Sequence, residues 1–332
     1  MPKKILVITD NLRAQVNGVV TTFKNIESYA VHDGFDIVYL DPGQFSHCDA
    51  PGYPEVKLSW PWAIGKKIQA AKADHIHIAT EGPLGFAARI YCDLHRLKYN
   101  TSYHTKFPEF LNKMYKIPEC ITYAYMRWFH KHSGRVLTTT QTMVDELKSH
   151  GFDGDIRPWT RGVNRSIFTS KLRGKTASKP ILLSVGRVSK EKGLDDFCKL
   201  EYDAVKVVVG DGPYRAELQE KYPDVCFAGA KFGEELALYY ANADVFVFTS
   251  RTDTFGIVII EALACGTPVA AYPVPGPIDI LENGVTGYMS TNLKNNIDNC
   301  LKLDRKLVEQ ASHKWSWANC WTIFRRNLIK VL

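Results

Sequence analysis

The chain has 332 residues, 45% hydrophobic and 23% charged, a composition that builds real cores and excludes wholesale disorder. Its length exceeds that of one doubly wound domain and suits two. A net charge of +7 favours an anionic partner, yet no RNA-binding or zinc-finger signature points to nucleic acid, and the eight cysteines form no CxxC pair, which fits reduced thiols in the cytosol.

Met1-Pro2-Lys3-Lys4 leads straight into the strand-like Ile5-Leu6-Val7-Ile8, with no apolar leader and no cleavage site, so export is not expected. Apolar runs of about 18 residues, which a spanning helix needs, are absent. Short β-rich runs then alternate with longer helical stretches: strands near 4–9, 35–40, 75–79, 99–103 and 135–139, helices near 18–31, 61–73, 84–97 and 140–150. This alternation predicts parallel βαβ units. The basic, polar stretch 170–179 reads as a linker, after which Ile181-Leu182-Leu183-Ser184-Val185 restarts the pattern. Strands follow near 204–209, 224–228, 244–249 and 268–272, with helices near 191–199, 214–221, 233–241 and 256–264. The expected domains are 1–165, 166–312 and a C-terminal helix, 313–332, which carries three tryptophans and packs back on the first domain.

Chemistry concentrates in strand-to-helix loops. Asp253-Thr254-Phe255-Gly256-Ile257 follows the strand Val245-Phe246-Val247-Phe248, at the strand end where open α/β sheets bind ligands. Gly256 lets a ligand approach the backbone, and the helix beginning there offers free N–H groups to a diphosphate. Glu261, about a turn and a half into that helix, is placed to accept from ribose hydroxyls, and Asp253 from a sugar ring. Taken singly, each acid reads as a helix cap or a solvated face; two acids flanking one such turn do not. Ser184-Val185-Gly186-Arg187 through Lys192-Gly193 repeats the strand–loop–helix arrangement with two cations, and Gly210-Asp211-Gly212 forms a third turn.

These motifs resemble the donor-site signature of the retaining glycosyltransferases of family 4, over almost the whole chain and most strongly in 181–290. The resemblance implies a GT-B fold, two Rossmann-like domains facing a central cleft. It implies that Arg187 and Lys192 grip the donor diphosphate, that Gly186, Gly210, Gly212, Thr254, Phe255, Gly256 and Ile257 line the donor, and that Glu261 holds it. The family usually writes Glu where this chain has Asp253. In the first half the resemblance implies that Asn17 and Gly18 open a helix facing diphosphate and acceptor, and that His104, after the strand Asn100-Thr101-Ser102, meets the transferred sugar. Glu81, after the strand His75-Ile76-His77-Ile78, is placed to reach the same cleft on the acceptor side. His104, Arg187, Lys192 and Asp253 are the expected catalytic set.

The expected reaction moves a mannose- or glucose-like hexose from a GDP- or UDP-linked donor to a lipid or glycan hydroxyl, without metal or cofactor. An epimerase of the same fold and a non-catalytic sugar-nucleotide or lipid binder are the alternatives; a dehydrogenase lacks its GxGxxG loop. Asp153-Gly154-Asp155 spells a metal-binding Asp-x-Asp but sits in a predicted turn, and His75-x-His77 lacks a third ligand. The pairs Lys3-Lys4 and Lys66-Lys67, with the aromatic-rich segment from Tyr115 to His132, suggest a cytoplasmic protein held peripherally on an anionic membrane.

Overall fold

The computed structural model describes residues 2–13, 15, 17–50, 53–174 and 178–332. The chain divides into two compact units: Met1–Arg161 together with Trp317–Leu332, and Gly162–Ser316.

In the first unit the order is β1 (Lys3–Ile8), α1 (Gly18–His32), β2 (Phe35–Leu40), β3 (His47–Ala50), β4 (Tyr53–Ser59), α2 (Ile64–Ala71), β5 (His75–Ile78), α3 (Pro83–Leu94), β6 (Asn100–Tyr103), α4 (Phe107–Tyr115), α5 (Glu119–His130), β7 (Arg135–Thr138), α6 (Gln141–Ser149) and β8 (Ile156–Pro158). Six strands form one parallel sheet in the order β2-β1-β5-β6-β7-β8, while β3 and β4 pair as a separate antiparallel hairpin. Ile5, Leu6, Val7 and Ile8 are all fully buried, as a parallel strand covered on both faces requires.

The second unit runs β9 (Ile181–Val185), α7 (Leu194–Cys198), β10 (Val205–Val209), α8 (Arg215–Lys221), β11 (Cys226–Gly229), α9 (Gly233–Asn242), β12 (Val245–Phe248), α10 (Ile257–Ala264), β13 (Val269–Ala271), α11 (Pro277–Ile280), β14 (Gly287–Met289), α12 (Leu293–Cys300) and α13 (Arg305–Ala311). Its sheet order, β11-β10-β9-β12-β13-β14, reverses between β9 and β12, the switch point where doubly wound sheets bind ligands. In the first unit the order reverses between β1 and β5.

The chain then returns to the first unit as α14 (Trp317–Asn327), which buries Trp317, Cys320, Trp321 and Phe324. Phe324 lies edge-on to Phe23, and the Trp159 indole donates to the Cys320 carbonyl at 3.0 Å. Trp321 and Arg325 both donate to Asp33 Oδ2 at 2.7 Å. The unit boundary therefore falls a few residues from the expected 165/166 and 312/313.

The stretch read as a linker is tied into the second unit instead. Ser170 Oγ donates to Glu309, Arg173 pairs with Asp244 at 2.6 Å, and Gly174 N–H donates to Asn242 at 2.8 Å. Residues 175–177 of that stretch lie outside the described residues. Arg173 and Lys179 meet the carboxylates of Asp244 and Asp203 in the same unit, a pairing that a composition-based reading does not see. The fold also holds elements that were not anticipated: β3, β4, α4, α5, α11, β14, α12 and α13.

Candidate functional site

The residues expected on the donor side gather around the switch point of the second unit. Arg187 and Lys192 follow β9, and Asp253 to Ile257 follow β12, its neighbour in the sheet. Lys192 Nζ donates to Asp253 Oδ1 at 2.6 Å, so two motifs 61 residues apart meet at one point. The loops are stapled together behind that contact. Thr249 Oγ1 donates to the Lys192 carbonyl at 2.9 Å, and Arg251 donates to Asp196 Oδ2, also at 2.9 Å.

Gly210 and Gly212 close the site from the β10 side. Val188 N–H donates to the Asp211 carbonyl at 2.9 Å, Tyr214 N–H to that of Val188 at 3.0 Å. A Cβ on Gly210 would stand 1.9 Å from the Gly186 carbonyl oxygen. The sequence reading gives these glycines to the nucleotide; the structure gives them first to this loop-on-loop contact, which shapes any nucleotide surface. Gly256 has φ +85°, and α10 starts beside it with no acidic residue in its first turn and no side-chain cap, leaving its first N–H groups to a ligand anion. Thr254 and Phe255 are buried, and the Phe255 ring meets Trp315 edge-on at 5.5 Å, so Phe255 packs rather than faces a ligand.

Glu261 accepts from the Tyr240 hydroxyl at 3.0 Å. Burial outweighs that hydrogen bond and raises its carboxyl to about 7. A ribose that donates two hydroxyls to it would favour the ionised form.

In the first unit, Asn17 caps α1. Its Oδ1 accepts from Val19 N–H at 3.1 Å and Val20 N–H at 3.0 Å, and its Nδ2 donates to Asn11. Both ends of the amide are thus engaged, and what Asn17 supplies is the position of Gly18 at the helix start. His104 follows β6. Arg161, which can only donate, gives its Nη2–H to His104 Nδ1 at 2.8 Å, so the ring's own proton resides on Nε2. Burial and the Arg161 charge hold His104 well below the usual histidine range, which keeps it a neutral donor. Glu81 follows β5, with Oε1 3.4 Å from His130 Nε2.

Sequence reasoning missed Arg161, Tyr240 and Asp10. The Asp10 carboxylate accepts from Thr80 Oγ1 at 2.7 Å and from Leu84 N–H at 2.8 Å, joining the β1 and β5 loops at the first unit's switch point. Burial raises its carboxyl. An acid directly after a first strand was the available signal. The decoys resolve structurally: Asp155 pairs with Arg135 at 3.3 Å and Arg157 at 2.5 Å. His75 Nδ1 lies 2.8 Å from the Ile329 carbonyl, and His77 Nε2 2.6 Å from Ser102 Oγ. No group of three or more potential metal ligands occurs among the described residues. All eight cysteines are free, five of them buried.

Residues 168–314 match the family described as "Glycosyl transferases group 1", and residues 16–166 match "Glycosyltransferase Family 4". A GDP-mannose-dependent alpha-mannosyltransferase of Mycobacterium tuberculosis is 34% identical over 316 residues, covering 86% of this chain and 83% of that protein. The alpha-monoglucosyldiacylglycerol synthase of Streptococcus pneumoniae is 27% identical, covering 86% and 75%. Among solved structures, a sucrose-phosphate synthase from Thermosynechococcus elongatus superposes with a TM-score of 0.77 at 18% identity, over 98% of each chain.

Proposed function

We infer the reaction from one premise: the chain belongs to glycosyltransferase family 4 and has the GT-B fold. It is a glycosyltransferase related to GDP-mannose-dependent mannosyltransferases and to glycolipid synthases. Our reading is that it moves a hexose, mannose before glucose, from a GDP- or UDP-linked donor to a hydroxyl of a lipid or glycan, with retention of configuration.

The observation that carries this reading is the Lys192–Asp253 contact at 2.6 Å, which joins the two donor motifs beside the helix start at Gly256. Arg187, Lys192 and the first N–H groups of α10 oppose the charge that grows on the departing diphosphate. Glu261 holds the ribose, Asp253 the sugar hydroxyls, and the His104 Nε2–H meets the transferred sugar. The sugar C1–O bond to the diphosphate breaks as the bond to the acceptor oxygen forms on the same face, and a diphosphate oxygen takes the acceptor's proton. No metal is required, because fixed cations supply the neutralisation. No described helix is long and apolar enough to cross a membrane. In this reading a lipid acceptor is met by peripheral contact at the cytoplasmic face.

The test is an assay of nucleoside diphosphate release in the presence of chelator, with GDP-mannose, UDP-glucose and UDP-galactose, with and without lipid acceptor. Release with GDP-mannose that depends on the acceptor is expected. Release that ignores the acceptor, or turnover that returns only with magnesium, overturns this reading.

A further inference from the structure

Arg161 is 3% exposed, and among the described residues no carboxylate pairs with it. Burial pushes its guanidinium down only to about 10, so at neutral pH it stays a cation. A buried charge with no opposite charge beside it is costly, and its place in the fold calls for a cause.

The guanidinium is fixed in position. Its Nη1 donates to the Trp159 carbonyl at 2.6 Å and to that of Thr160 at 3.1 Å, and its centre lies 4.6 Å above the Trp159 ring. Trp159 is itself fully buried, its indole donating to the Cys320 carbonyl of α14 at 3.0 Å and its ring packed against Phe23 and Phe324. The remaining arm, Nη2, points at His104 Nδ1 from 2.8 Å.

The polarity of that contact decides what the imidazole can do. Arginine has no acceptor, so Nδ1 offers its lone pair and the ring's proton sits on Nε2. A second proton on Nδ1 would turn two donors on each other and place a second positive charge beside the first. Burial, then the Arg161 charge, then His77 and His130 all act against it. A histidine used as a base has the opposite arrangement, with a carboxylate that accepts from Nδ1–H and leaves Nε2 to take a proton. Here a cation stands behind the ring and draws density from it, which strengthens the Nε2–H as a donor.

We propose that Arg161 is a positioning residue for glycosyl transfer: it locks His104 as a neutral Nε2–H donor to an oxygen of the transferred sugar, and bars it from acting as the base that deprotonates the acceptor. The proposal rests on the glycosyltransfer reading above, which brings the sugar to His104 and leaves the acceptor's proton to a diphosphate oxygen.

The test reads the ring directly. Proton–nitrogen correlation spectra of the full chain, labelled with nitrogen-15 at histidine, are taken from about pH 5 to about pH 8, with His104 identified by its loss in His104→Gln. A neutral ring protonated at Nε2 is expected throughout. Arg161→Met removes both charge and donors, so the other tautomer should appear and kcat should fall about tenfold or more, while the Kd for free GDP stays put. Arg161→Lys, which still only donates, should keep the Nε2–H tautomer and recover most of kcat, as a merely structural loss would not. A wild-type ring that carries its proton on Nδ1, or that titrates in this range, overturns the proposal. So does a folded Arg161→Met with wild-type kcat. Where Arg161→Met does not fold, Arg161→Lys decides: the tautomer kept but kcat lost would assign Arg161 to packing. A wild-type chain that releases no nucleoside diphosphate from any donor would instead defeat the glycosyltransfer reading, whichever nitrogen holds the proton.

Discussion

Lys192 and Asp253 are each defined by the other: the ammonium reaches the carboxylate at 2.6 Å, so neither can be removed without altering its partner. On the proposed reading Lys192 opposes the charge on the departing diphosphate, and Lys192→Ala should then lower the turnover rate by on the order of 10²-fold. Asp253→Ala releases Lys192 and, on the same reading, removes the proposed sugar contact, so its effect overlaps with the first. In steady-state kinetics the double variant should therefore lose less than the product of the two single losses. Strictly multiplicative losses would separate the two roles. Glu261 gives a pH signature. Its carboxyl rests at about 7 in the free protein, against 4.5 ordinarily, because burial outweighs the Tyr240 hydrogen bond. If Glu261 holds the ribose as proposed, the hydroxyls favour its ionised form, nucleotide binding expels a proton, and affinity should rise up to about tenfold per pH unit toward pH 7 and then level off. Stability of the free protein runs the other way. Between 4.5 and about 7 the folded chain holds a proton that the unfolded chain releases, so Glu261's share of stability is full below that window and is lost as pH rises through it. Calorimetry of GDP binding across pH should show a slope that Glu261→Gln abolishes. An identical slope in the variant would assign it to the nucleotide's own phosphate.

At the scale of elements, what the sequence makes legible follows from burial. Strands β1, β9, β10 and β12 lie inside parallel sheets, read as continuous apolar runs, and stand where the pattern places them. The loops after them gather their polar residues in a few consecutive positions, which is why Arg187, Lys192 and Asp253 stand out in the sequence. Elements without such a pattern are lost. The segment from Phe107 to His130 holds Pro108 and Pro118 and reads as aromatic-rich chain, yet it folds into α4 and α5. Partners brought from afar are lost for a different reason: Arg161 reaches His104 across 57 positions and Tyr240 reaches Glu261 across 21, and no local spacing encodes either contact. The basic stretch at 170–174 misleads because it looks solvated until Asp244 is seen against Arg173 and Glu309 against the Ser170 hydroxyl.

The whole molecule carries +7, and the features that would hold it to a membrane all lie on the first unit. Lys3, Lys4 and Lys66 are exposed there, as are Trp62 (76%), Ile121 (60%) and Tyr115 (50%). Trp128 is partly exposed, with Arg89 stacked 3.7 Å above its ring. Aromatic rings beside cations favour the interface of an anionic bilayer, where each basic residue contributes about 1 kcal/mol near the surface. Attachment built this way is reversible, and salt weakens it because the Debye length shrinks from about 30 Å at 0.01 M to about 8 Å at 0.15 M. Co-sedimentation with phosphatidylglycerol-containing vesicles should therefore be strong at low salt and fall at high salt, with little binding to purely neutral vesicles. Trp62→Ala should weaken binding at both salt concentrations, as an apolar contact does, whereas Lys66→Gln should act mainly at low salt. Equal binding to neutral and anionic vesicles at low salt would defeat the charge-led attachment, and no binding to either would leave a soluble glycan as the acceptor.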